Sequence, residues 1–166
     1  MVKKTKKVLI LGIDPGIADT GYGLINKDTK GNLKCITYGS IKTQSKTEMT
    51  DRLFIINKEL NKIIKKYRPK IIALEQLFFC KNVKTALTVG QAKGVIMFTS
   101  RQAKIPLNEF TPLQVKQAVA AYGQASKVQI QKMVKLLLNL KEIPKPDDAA
   151  DALAVAICAA HSLTNN

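Results

Sequence analysis

Residues 7–13, KVLILGI, are aliphatic in the way a strand buried on both faces must be, yet the run ends in a carboxylate, Asp14. A second run of the same kind, KIIAL, ends in Glu75. The segment between them includes RLFIINKELNKIIKKY, whose Leu53, Ile56, Leu60, Ile63, Ile64 and Tyr67 recur at helical spacing. A strand, an amphipathic helix and a second strand form a crossover unit, so the two acid-terminated strands can lie parallel, about 4.8 Å apart. Register permitting, both carboxylates then emerge at the carboxyl edge of the sheet, where open α/β sheets place their ligands.

The remaining segments complete a plan. Residues 21–26 and 33–41 read as strands joined by the turn-like KDTKGN. Thr50 or Asp51 is the expected N-cap of the first helix, and Pro69 closes it. A helix over 82–102, a strand over 105–110 and helices over 112–121, 126–140 and 147–162 follow. The order β-β-β-α-β-α-β-α-α-α predicts an α/β fold with a mixed five-stranded sheet flanked by helices. With no repeat and no dividing linker, residues 1–166 are expected to form one domain.

The last helix opens with DDAAD, in which Asp148 and Asp151 are three apart and Asp147 and Asp151 four apart, so either pair can share a face. Acids in a first helical turn favour the helix dipole, and Asp147 can simply be the N-cap. That account leaves unexplained why a chain with only 12 acids also ends two core strands in acids. Carboxylates brought together repel unless a cation joins them, and oxygen-only ligands select Mg²⁺ or Mn²⁺ over zinc. Two such ions about 3.5–4 Å apart can bind a phosphodiester from both sides.

Charge points the same way. The 27 lysines and arginines exceed the acids to give a net charge of +15, spread along the chain. Such a balance suits a polyanionic partner, although a lysine-rich genome produces it too. The single histidine, His161, largely excludes a His-rich metal site or a Ser-His-Asp triad, and Cys35, Cys80 and Cys158 form no CxxC pair. The basic MVKKTKK is followed by only VLILGI before Asp14, too short for a signal-peptide core, so a cytoplasmic protein with no membrane association is expected. The glycines of GIDPGIADTGYG resemble a phosphate loop of the actin-like ATPases, but no second Gly-rich loop follows a strand. They are expected to permit a tight turn and close approach of a phosphate backbone.

Taken together, LGIDPGIADTGYGLI, IIALEQLFFCKNVKTALTVGQAKGV and DDAADALAVAIC resemble, in order and spacing, the three signature blocks of the RuvC family of bacterial Holliday junction resolvases. The resemblance covers essentially the whole chain. It implies a ribonuclease H-like fold and a homodimer that nicks four-way DNA junctions in symmetric pairs, leaving 5′-phosphate and 3′-hydroxyl ends, in recombination and repair. It implies two Mg²⁺ ions per site, replaceable by Mn²⁺, and Asp14, Glu75, Asp148 and Asp151 as the catalytic, metal-binding acids. Asp147 stands where members often carry a non-acidic residue, and is a candidate for a supporting role.

The same resemblance implies that Phe78 stacks on a base near the junction centre and that Lys116 and Lys127 work near the scissile phosphate. Lys81, Lys84 and Lys93 are expected to add sequence-independent phosphate contacts. The RuvA–RuvB branch-migration complex is the partner the family suggests. Gly90 and Gly94, four apart, suit close helix contact, and the helix is expected to meet both a second copy and its own sheet, with different faces. Two alternatives stay open: a related enzyme acting on RNA, and a silent junction-binding protein, against which the intact acids argue.

Overall fold

The computed structural model describes residues 7–76 and 83–163. Its elements are β1 (Val8–Asp14), β2 (Asp19–Lys27), β3 (Leu33–Lys42), α1 (Met49–Tyr67), β4 (Ile71–Glu75), α2 (Val83–Gln102), β5 (Leu107–Phe110), α3 (Pro112–Ala120), α4 (Lys127–Leu137) and α5 (Asp147–Ser162). The five strands form one sheet in the order β3-β2-β1-β4-β5. The β1–β2 and β2–β3 pairs are antiparallel, and the β1–β4 and β4–β5 pairs are parallel. This is the mixed sheet that the order of elements predicts.

Strand alternation divides the interior into two cores. Leu11, Ile13, Leu24, Ile72 and Leu74 face Ile56, Leu60 and Ile64 of α1 and Ala92 and Ile96 of α2. Ile10, Ile25 and Ala73 face α5, with Val115, Val119, Ile130 and Val134 of α3 and α4 behind it. Each fully buried Leu or Ile contributes about 1.5–3 kcal/mol. The period of two puts Asp14 on the α5 side of β1, in line with Ile10 and Gly12.

Several boundaries differ from the sequence reading. Helix α1 starts earlier: the Arg52 N–H donates to the Glu48 carbonyl at 3.0 Å, which places Thr50 and Asp51 inside the first turn. Glu48 is the N-cap and makes no side-chain capping bond. Strand β5 is shorter because Ile105 is bound back to Ser100, through its N–H at 3.1 Å and its carbonyl at 2.8 Å. Helix α4 stops at Leu137, where Asn139 turns the chain with φ 50. By contrast Thr111 and Ser126 form complete capping boxes with Gln114 and Gln129, which fix the starts of α3 and α4.

Candidate active site

The parallel register of β1 and β4 runs from Ile10 opposite Ile71 to Ile13 opposite Leu74. Asp14 and Glu75 are the next step along it, so the two strands deliver their acids together. The side chains hydrogen-bond to each other, the Asp14 carboxyl donating to the Glu75 carboxylate. Burial, then the charges of Glu75, Asp151 and Asp148, push the Asp14 carboxyl up to about 8. Burial and Asp151 also raise Glu75, against the opposing hydrogen bond from Asp14 and the charge of Lys127. The two strand-borne carboxylates thus raise each other's affinity for positive charge, which a proton or a cation can satisfy.

The other acids arrive on α5, whose seat depends on three glycines. A Cβ on Gly21, the cross-strand partner of Asp14, would lie 2.0 Å from the Asp148 carbonyl oxygen. A Cβ on Gly12 would lie 2.1 Å from the Ala152 carbonyl oxygen, and one on Gly23 would overlap the Leu153 side chain at 2.7 Å. The glycines of the first motif thus let helix backbone rest directly on the strands, rather than admitting a phosphate backbone as the sequence reading expected. Gly16 does serve the expected tight turn, since a Cβ there would meet the Asp19 carbonyl oxygen at 2.3 Å. Ala149, Ala150, Ala152, Ala154, Ala156, Ala159 and Ala160 are all at most 1% exposed, and these small side chains complete the close fit.

Lys127 opens α4 and reaches across to α5, its ammonium 3.0 Å from Asp151 and 3.4 Å from Asp147. Burial pulls the Lys127 ammonium down, but the hydrogen bond and charge of Asp151, with Asp147, outweigh it and leave it raised. Burial likewise raises Asp151, with Lys127 opposing. Lys116, Lys127, Glu75 and Asp151 line one small cleft of about 220 Å³, floored by Val115, Ile130 and Ala154. Both expected lysines thus stand beside the acids.

Other expectations fare differently. Lys93 is not free for phosphate, because it pairs with Glu109 of β5 and is itself mostly buried. Phe78 and Lys81 lie outside the described residues, as does the side chain of Lys84. The His161 ring contacts the Ala118 carbonyl at 3.0 Å and belongs to the far end of α5, about 20 Å of helix from Asp148. Burial pushes the Cys35 and Cys158 thiols up to about 11, in keeping with inert reduced cysteines.

The sequence reading missed one supporting arrangement. Arg52, buried in the first turn of α1, donates its Nε–H to the Thr43 hydroxyl at 2.8 Å. That hydroxyl in turn donates to the Ile17 carbonyl, while the Thr43 N–H donates to the Ala18 carbonyl at 3.0 Å. Together with Thr20, which donates to the Gly16 carbonyl at 2.6 Å, these bonds hold the turn that follows Asp14. The one available signal was that Arg52 is one of three arginines in a lysine-rich chain.

Among the described residues, no three or more His, Cys, Asp or Glu side chains already close around a single point as metal ligands would. The donor set nevertheless suits a hard divalent ion. It is all oxygen, it is partly buried, and its neighbouring carboxylates raise each other's affinity for positive charge.

Residues 10–159 match the family described as crossover junction endodeoxyribonuclease RuvC. The protein of that name from Halothermothrix orenii is 58% identical over 160 residues, covering 96% of each chain. Its counterpart from Heliobacterium modesticaldum is 56% identical over 158 residues, covering 95% of this chain and 96% of the relative. The solved Thermus thermophilus RuvC in complex with Holliday junction substrate superimposes with a TM-score of 0.85 at 30% identity, covering 93% of this chain and 95% of that one. The fold is accordingly ribonuclease H-like, with its acids at the carboxyl edge of β1 and β4 and at the head of α5. Sequence match, superposition and the order of the acid-bearing elements agree, and the chain belongs to the RuvC family of crossover junction endodeoxyribonucleases.

Proposed function

We propose that this chain is a structure-selective DNA endonuclease that resolves Holliday junctions by paired symmetric nicks, leaving 5′-phosphate and 3′-hydroxyl ends for ligation. The observation that carries this reading is the convergence of Asp14 and Glu75, delivered together by the parallel register of β1 and β4, on the head of α5 with Asp148 and Asp151, seated directly on Gly21 beside Asp14. In a chain with a net charge of +15, a pocket of negative charge marks a place for cations bound together with phosphate. Asp14, Glu75, Asp148 and Asp151 would hold two Mg²⁺ ions, with Mn²⁺ able to substitute. When bound, such ions activate water for attack on phosphorus and stabilise the leaving 3′ oxygen.

The chain's own side chains then divide the remaining work. Lys127 offsets the charge of Asp151 and Asp147, and with Lys116 it presents ammonium groups at the cleft where the scissile phosphate would lie. Phe78, Lys81 and Lys84, which follow β4 in the sequence, are proposed to engage the junction. Asp147 is the most exposed of the α5 acids and its described contact is with Lys127, which suits charge balance more than metal ligation.

A junction of approximate two-fold symmetry calls for two sites related by a dyad, so a homodimer is proposed. Its contact would use α2, where Leu87 and Phe98 are each 65% exposed and Cβ atoms on Gly90 and Gly94 would meet open space. The RuvA–RuvB complex is the proposed partner. No helix among the described residues is long and apolar enough to cross a membrane.

The test compares a labelled four-way DNA junction, a linear duplex and an RNA–DNA hybrid, with Mg²⁺ and with EDTA. Symmetric nicking of the junction alone, lost in EDTA, is expected. Equal cutting of the hybrid would favour an RNA-directed enzyme, and binding without cutting would favour a silent junction-binding protein.

A further inference from the structure

The stretch from Lys58 to Lys70 holds six cations and a single acid, Glu59. Between the end of α1, the start of β4 and the end of α2 it borders an open groove of about 880 Å³. Lys58, Lys65, Arg68 and Lys70 line this groove, and no acid does. All four are exposed, and among the described residues none is paired with a carboxylate, whereas Lys62 is already held by Glu59 at 2.7 Å. Four like charges around one concavity raise its potential and favour an anionic occupant.

The lining also carries features that a phosphate chain would not use. Phe54 at its border is 64% exposed and Ile105 is half-buried, over a floor made by the buried Ile64 and Pro69. Asn57 and Asn61 also line the groove, and their side-chain amides add chemistry of the opposite sense to the lysines. The Asn57 Nδ2 donates to the Thr99 hydroxyl at 2.7 Å and the Asn61 Nδ2 to the Asn57 carbonyl at 3.0 Å. Their amide oxygens receive no hydrogen bond among the described residues, and they line the same groove as the lysines. Amide oxygens repel phosphate but accept peptide N–H groups, and an apolar lining rewards side chains such as Leu and Phe.

Position separates this groove from the nuclease site. Lys70 precedes β4 and Glu75 ends it, so the groove and the acids lie at opposite ends of one strand, about 17 Å apart along it. We propose that the groove is a docking site for an acidic, amphipathic peptide segment of a partner protein. Its carboxylates would meet Lys58, Lys65, Arg68 and Lys70 while its apolar side chains cover Phe54 and Ile105. Both the segment and junction DNA can be held at once.

The probe is a short fluorescein-labelled peptide alternating Glu with Leu and Phe, titrated against the full chain by anisotropy, with and without bound junction. Binding is expected in both states. Lys65→Glu combined with Arg68→Glu should weaken it on the order of tenfold or more, with junction nicking and melting temperature unchanged. A peptide alternating Glu with Ser should bind at least tenfold more weakly than the Leu/Phe peptide. The proposal is overturned by no binding, by equal affinity for the double variant, or by equal affinity for the Glu/Ser peptide. It is equally overturned if a single-stranded oligonucleotide outcompetes the peptide at these residues, or if the double variant folds but no longer nicks, since the groove would then handle DNA. Failure of the wild-type chain to cut any junction would bear on the proposed nuclease and leave the peptide result to be read separately.

Discussion

Gly21→Ala adds one methyl group where β2 meets the first turn of α5. The new Cβ would stand 2.0 Å from the Asp148 carbonyl oxygen, so that oxygen must retreat about 1.4 Å to reach ordinary contact at 3.4 Å. Both sides of the contact are backbone, and no flexible side chain can yield instead. Overpacking of this kind costs about 1–3 kcal/mol. At about 2 kcal/mol, a chain of this size should melt about 4–8 °C lower. The shift also carries Asp148 and Asp151 away from Asp14 and Glu75, and a displacement near 1 Å at reacting groups costs about 10²-fold in rate. Single-turnover nicking of a labelled junction with Mg²⁺, alongside a thermal melt, measures both effects. Gly23→Ala is the companion variant, because its Cβ meets Leu153, through the side chain at 2.7 Å and the backbone nitrogen at 2.9 Å, farther along α5 than Asp148 and Asp151. It should lose less activity for a similar loss of stability. A folded Gly21→Ala chain that nicks within about threefold of the parent would refute the claim that the helix seat sets the spacing of the acids.

Asp14→Asn should keep junction affinity in EDTA, since it adds no negative charge to repel phosphate, and lose cleavage in Mg²⁺; normal nicking in Mg²⁺ would remove Asp14 from the chemistry. In EDTA the same variant should change the pH dependence of stability. The folded chain holds a proton on Asp14 up to about 8, while its ordinary value is 3.8, so between those limits the native state binds more protons than the unfolded one. Native stability must then fall as pH rises across that window, and Asp14→Asn should flatten the fall; melting curves at pH 5 and pH 8 that shift alike in both proteins would contradict it. Lys127→Ala removes the cation that offsets Asp151 and Glu75, so both acids should titrate higher and junction nicking should need a higher pH; an unmoved pH–rate profile would count against that role. Leu87→Glu with Phe98→Glu should give a monomer by sedimentation that leaves junction nicks unpaired, and a stable dimer would exclude the α2 face.

The acids were legible because their signals are local. An aliphatic strand that stops at an acid can be read from a few residues, and so can a three-residue spacing on a helix. The crossover between β1 and β4 then fixed which strand ends meet. The glycines were misread because a turn, a phosphate contact and a helix seat all demand the same missing Cβ, and only the position of α5 distinguishes them. Lys93 was misread for a similar reason: its partner, Glu109, lies on another element with no pattern linking the two. The early start of α1 and the shortening of β5 arose from single backbone bonds, Arg52 to Glu48 and Ile105 to Ser100, that a propensity-based reading does not contain. The basic run after Lys58 was visible as charge, but its concave setting with Ile64, Pro69 and Ile105 required the packed chain.

Helix α5 is covered by the sheet on one side and by α3 and α4 on the other, and Ala152 to Ala160 are each at most 5% exposed. Amide hydrogens there can exchange with solvent only when the whole domain opens, so this segment should be the slowest-exchanging part of the chain. Two of the four proposed metal-binding acids ride on it. The cutting centre should therefore lack a partially melted, still-folded intermediate: on heating, nuclease competence and native structure should vanish in one step.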